Sequence, residues 1–139
     1  LDMNYIANHH GEKTFCDIRM NGVMRDNSHK MFRGTIDFKR GCAGSTGSEN
    51  EDILLLDEGV VNRTIPVILC TEEDVEGNHG ASIGKLDENT MFYLTSRGIA
   101  EEDVIEMMAK ARIDGVKNLI EDDQTIQYVD EYISGMGVN

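Results

Sequence analysis

The chain has 139 residues, 40% of them apolar, enough for one domain with a core or for a small domain with an appendage. Twenty-six acidic residues stand against thirteen basic ones, a formal net charge of −13 at pH 7. That balance excludes a nucleic-acid surface, which needs clustered Lys and Arg, and equally an anionic membrane surface.

From Asn8 to Arg40 the chain carries seven bases and four acids, whereas from Glu49 to Asn78 it carries nine acids and the single base Arg63. The plain reading of this charge is solubility; a sharper one is attraction to a basic partner or a metal. Cys16, Cys42 and Cys70 are odd in number and far apart, so no disulfide framework is implied and a reducing, cytoplasmic setting is expected. No apolar run approaches the ~20 residues of a membrane span, and no signal peptide is visible.

Residues 1 to 86 read as short strands separated by turns. Cys16, Ile18 and Met20 alternate with Asp17 and Arg19, the period of a half-buried strand. Asn21-Gly22 then predicts a turn. Ile36 and Phe38 flank Asp37 in a further strand, and the small residues from Gly41 to Ser48 predict a flexible loop. Ile53 to Leu56 and Ile65 to Cys70 are compact apolar runs, as in strands buried on both faces or in the rungs of a parallel solenoid. The pattern allows a sandwich, a barrel or a β-helix.

After Leu86 the period becomes helical. Asp87 is the expected N-cap of a first helix ending at Arg97-Gly98. A second helix starts near Ala100, with Glu101, Glu102 and Asp103 in its first turn and an apolar stripe of Ile105, Met108, Ala109, Val116, Leu119 and Ile120. A third is predicted from Asp123 to Ser134, with Gly135 as its stop and loose residues from Met136 to Asn139. Two regions are therefore expected: a β scaffold over 1–86 and a helical C-terminal domain over 87–139.

His79 is the leading candidate for chemistry. It lies in the Gly-rich run Gly77-Asn78-His79-Gly80-Ala81, read as a turn, where an imidazole has little cover and can ligate iron or zinc. Glu76, with Glu72, Glu73 and Asp74 just upstream, is a weaker candidate oxygen donor. His9-His10 should point to opposite faces of an extended segment and reads as surface; His29 reads as a solvated turn. Cys16 and Cys70 fall at apolar strand positions and read as core, leaving loop Cys42 as the thiol to consider for reactivity. Gly77 to Lys85 lacks a P-loop frame, since Leu86 follows Lys85. Ser, His and Asp are all present without a nucleophile elbow, so a Ser-His-Asp hydrolase is only a minor alternative; a metal-dependent hydrolase is a remote one.

An ordered set of segments resembles the SufB/SufD family, the scaffold subunits of the Suf iron–sulfur cluster assembly machine. The set comprises Asn8-His9-His10-Gly11, Phe32-Arg33-Gly34, Leu54-Leu55-Leu56, Pro66, and the long run from Asp74 to Ile99 that contains His79-Gly80-Ala81-Ser82 and Phe92-Tyr93-Leu94. The similarity extends from Asn8 to Asp123. It implies a mainly β fold with an α appendage: the last rungs of a right-handed parallel β-helix, then a small helical domain. It implies a non-enzymatic scaffold on which a transient iron–sulfur cluster is built. A SufC-type ABC ATPase would dock on helices within 87–133, and the β-helix edges would pair with a SufB/SufD-type sister subunit or a second copy.

The likeness is closer to SufD. Glu51-Asp52-Ile53 stand where SufB carries Cys-Asp-Ser, and His79 matches the SufD His associated with cluster assembly at the subunit interface. Gly77 stands where many SufD-like chains carry Cys. The chain begins Leu1-Asp2 in apparent mid-strand and lacks the family's N-terminal part, so a C-terminal fragment is expected. The competing reading is an interaction module that holds the ATPase and sister subunit while the chemistry lies elsewhere.

Overall fold

The computed structural model describes residues 1–135; the predicted loose tail from Met136 to Asn139 lies outside them. Six strands come first: β1 (Asp2–His9), β2 (Phe15–Met24), β3 (His29–Phe38), β4 (Ser45–Leu55), β5 (Val61–Cys70) and β6 (Val75–Gly84). Three helices follow: α1 (Glu88–Thr95), α2 (Glu101–Lys117) and α3 (Asp123–Gly135).

The strands alternate between two three-stranded sheets, ordered β1-β3-β5 and β2-β4-β6. Every pairing is parallel: Asp2 pairs with Met31 and His29 with Val61 in one sheet, Phe15 with Thr46 and Ser45 with Val75 in the other. A chain that returns to the same sheet in parallel on every second strand is a solenoid, so the expectation of mainly β coils followed by helices holds. Such coils need no helical crossovers, because the opposite sheet supplies the return path.

Alternation along each strand sends every second side chain into the space between the sheets. On β4 these are Ser45, Gly47, Glu49, Glu51 and Ile53, all buried. On β3 they are Lys30, Phe32, Gly34, Ile36 and Phe38, also buried. Ile36 and Phe38 pack against Cys42, with Cys16, Ile18, Ile68 and Val75 around them. The sheets approach closely: a Cβ on Gly47 would lie 2.9 Å from Ile36 Cγ2. Among the described residues nothing stacks on β5 and β6, so this last coil is uncapped and β6 is exposed almost throughout.

Several expectations change. Asn21-Gly22 does not turn the chain; it lies within β2, where Asn21 Nδ2 donates to the Arg112 carbonyl of α2 at 2.8 Å instead of closing a turn. The loop after Gly41 is short, because β4 already begins at Ser45, and Cys42 is wholly buried rather than presented. Cys70, expected in the core, is exposed, because it sits on the uncovered last coil. Cys16 is half-buried. His9 is buried, not at the surface.

The helices begin and end close to where the sequence predicts. Asp87 caps α1, accepting from the Thr90 backbone N–H at 2.8 Å. Helix α2 lies against β2 and β4, where Val104 and Ala109 are buried and Arg112 pairs with Asp52 at 3.3 Å. Leu54, on the outer face of β4, is completely covered. No helix among the described residues is long and apolar enough to cross a membrane.

Candidate functional site

His79 is exposed and sits in strand β6, not in a turn. The ladder decides this: Ser48, Glu49 and Asn50 of β4 pair directly with Asn78, His79 and Gly80. Backbone pairing to a neighbouring coil overrides the turn preference of a Gly-rich run. Along β6, Val75, Gly77, His79, Ala81 and Ile83 continue the inward-facing positions of β4. The imidazole therefore lies on the inner face of the open coil, stacked in register over Glu49, which in turn overlies Ile18.

Glu49 is 2% exposed and its Oε2 has no hydrogen-bond partner. Its carboxyl group reaches across the interior to Gly34 on the facing sheet, and a Cβ on that glycine would collide with it. Burial pushes the carboxyl pKa up from its ordinary value; the His79 imidazole opposes the rise and the charge of Glu51 adds to it. Glu51, two residues on, is also buried, and it is bound by the buried Lys30 ammonium from the other sheet.

Glu76 is an odd number of positions from His79 and so faces the other side of β6, where it accepts from Asn78 Nδ2 at 3.2 Å. The structure does not bring these two predicted donors together. Glu72 is tied elsewhere, accepting from the Gly41 backbone N–H at 2.9 Å, which with the Glu73 N–H holds its carboxyl below the usual range. Among the described residues no group of three or more His, Cys, Asp and Glu side chains is arranged to hold a metal ion alone.

A second polar cluster lies at the other end of the solenoid. His9 stacks on Phe38 with ring centroids 4.7 Å apart. Its Nδ1 lies 2.6 Å from Thr14 Oγ1 and its Nε2 3.1 Å from Cys16 Sγ. Burial raises the Cys16 pKa, opposed by the Ser48 backbone N–H and reinforced by Asp17, so this is a neutral thiol in a packed network.

Residues 1–112 match the family described as SUF system FeS cluster assembly, SufBD core domain. The chain belongs to that family. An iron-sulfur cluster assembly SufBD family protein of Mycobacterium leprae is 32% identical over 108 residues, which cover 78% of this chain and 12% of the relative. The iron-sulfur cluster assembly protein SufD of Bacillus subtilis is 32% identical over 95 residues, covering 68% of this chain and 22% of that protein. A SufBD family protein of Staphylococcus saprophyticus is 30% identical over 106 residues, 76% of this chain and 23% of its own length. The chain thus spans less than a quarter of the length of these curated relatives.

In this SufBD chain the acid-rich stretch departs most from its expected exposure. The charge balance by itself reads as solubility, yet Glu49 and Glu51 are both interior. The signal was present as the alternation Gly47, Glu49, Glu51, Ile53 against the outward Ser48, Asn50, Asp52. His29, expected in a solvated turn, opens β3, and Lys30 beside it points inward.

Proposed function

We propose that this chain is a SufD-like portion of an iron–sulfur cluster assembly scaffold, non-catalytic in itself, with His79 offered as an iron or cluster ligand. The single observation that carries this reading is the exposed imidazole on the inner face of the last, uncovered coil. A rigid parallel ladder holds the backbone beneath it, which suits a ligand that must meet donors from elsewhere without moving. Iron and sulfide are the cargo of such a scaffold. With so few donors arranged together on the described chain, the remaining ligands come from sulfide, solvent or a sister subunit.

Among the described residues, strands β5 and β6 stand at the sheet margins with unpaired outer edges, the usual template for adding strands from another chain. A SufB/SufD-type sister subunit or a second copy fits there and would bring its donors to His79. The helical end suits the ATPase: Phe92 is 75% exposed, and Tyr93, Met107, Tyr128 and Tyr132 are also exposed. Large aromatic side chains of this kind anchor protein interfaces.

Two measurements check the reading. In anaerobic reconstitution with iron and sulfide, in the presence of the sister subunit, His79→Ala is expected to lower bound iron by about tenfold or more; equal loading of both proteins would remove His79 as a ligand. In a pulldown with the SufC-type ATPase, the double variant Phe92→Glu, Tyr128→Glu is expected to lose the ATPase while keeping the circular dichroism of the parent. Retention of the ATPase by that folded variant would place docking elsewhere.

A further inference from the structure

We propose that Glu49 is a second metal donor of this chain, binding ferrous iron together with the His79 imidazole before sulfide arrives. The inference rests on reading His79 as a ligand and adds the residue, the donor type and the oxidation state of the ion.

Three observations converge on Glu49. First, it is the direct register partner of His79 on the neighbouring coil, and both side chains leave the sheet on the same face. Adjacent strands are ~4.8 Å apart, which puts the two side chains within reach of a shared ion. Second, Glu49 Oε2 is buried with no hydrogen-bond partner. An isolated buried carboxylate costs several kcal/mol unless a cation or a proton compensates it. Third, the buried ammonium across the interior and three basic side chains of adjoining segments are paired with other carboxylates. Lys30 is held by Glu51, while Arg19 pairs with Asp17, Arg33 with Asp2 and Lys39 with Asp37.

The residues directly opposite offer no side-chain donor either. Gly34 lies against the carboxyl group, and its partner in the next coil is Pro66, which has neither a polar side chain nor a backbone N–H. The carboxylate thus lacks both a cation and a hydrogen-bond donor, and its open neighbour is an imidazole. One oxygen and one nitrogen donor suit a borderline divalent first-row ion. The adjoining inward line on the same sheet is Cys16, Gly47 and Gly77, so the coils that carry Glu49 and His79 present glycine, not thiolate, beside the pair. That composition favours bare ferrous iron over a soft ion or a preformed cluster.

The test is an anaerobic ferrous-iron titration of the full chain without sulfide, read by competition with a colorimetric chelator. Cobalt(II) absorption serves as a second readout. Glu49→Gln and His79→Ala are each expected to weaken iron binding tenfold or more, with Glu76→Gln, on the opposite face of β6, unchanged. Glu49→Gln removes a buried charge, and its circular dichroism is expected to match the parent. Glu49→Asp, which shortens the reach of the carboxylate, must also weaken binding and serves if the Gln variant does not fold. Parental affinity in Glu49→Gln with weakened binding in His79→Ala would overturn the role of Glu49 and leave His79 standing. Weakened binding in Glu49→Gln alone would overturn the pair and the His79 reading with it. Absence of measurable iron binding by the parent would overturn the proposal outright.

Discussion

Lys30→Met is expected to destabilise the fold by about 3–5 kcal/mol, because it leaves an uncompensated carboxylate inside the solenoid. The side chains of Lys30 and Glu51 are 5% and 1% exposed, and they meet across the two sheets. Lys30 binds Glu51 Oε1 and Oε2 has no partner, so with the ammonium gone the charge has nothing to stabilise it. The loss reflects removal of one partner, not the net worth of the pair. The double variant Lys30→Met, Glu51→Leu is therefore expected to recover most of the stability, since apolar side chains of similar volume replace both charges. Urea unfolding of the parent, both single variants and the double variant checks this as a double-mutant cycle. A loss under about 1 kcal/mol for Lys30→Met would show the ammonium reaching water, contrary to its burial.

Phe38→Ala is expected to cost a further large amount, about 3–5 kcal/mol. Phe38 is fully buried between the sheets and stacks on His9. Its ring passes close to the glycines opposite; a Cβ on Gly77 would sit 3.1 Å from Phe38 Cε2. The void left by its removal cannot collapse easily, because ladder hydrogen bonds fix the spacing of the coils on both sides. Cys42 packs in the same cluster, so its thiol should react with a disulfide reagent in the native state far faster than in the parent. A small loss of stability with Cys42 still protected would mean that the two sheets close over the gap.

The helices were legible because their signals are local. Asp87 as a cap, acids in the first turn of α2 and Gly98 after α1 act within a few residues of where they stand. The strands were legible as alternation, but their interior was not fully so. Glu49, Glu51 and Lys30 are charged residues at inward positions, and composition alone assigns such residues to solvent. His9 was misplaced for a related reason. Its partners Thr14, Cys16 and Phe38 come from two other strands and the intervening loop, so nothing in its immediate neighbours marks it as buried. The Gly-rich run around His79 has the composition of a turn and becomes a strand only because β4 is there to pair with it.

By itself the sequence determined a strand region followed by three helices, the change between them near Leu86, and the family to which the chain belongs. These rest on short-range pattern and on segments that keep their order along the chain. Only the tertiary structure decided which side chains share a face: that Glu49 underlies His79, that Glu76 turns away from it, that Lys30 meets Glu51, and that the last coil is open. The physical reason is register. Parallel pairing joins residues a full coil apart, and a shift of one position would send each of these side chains to the opposite face.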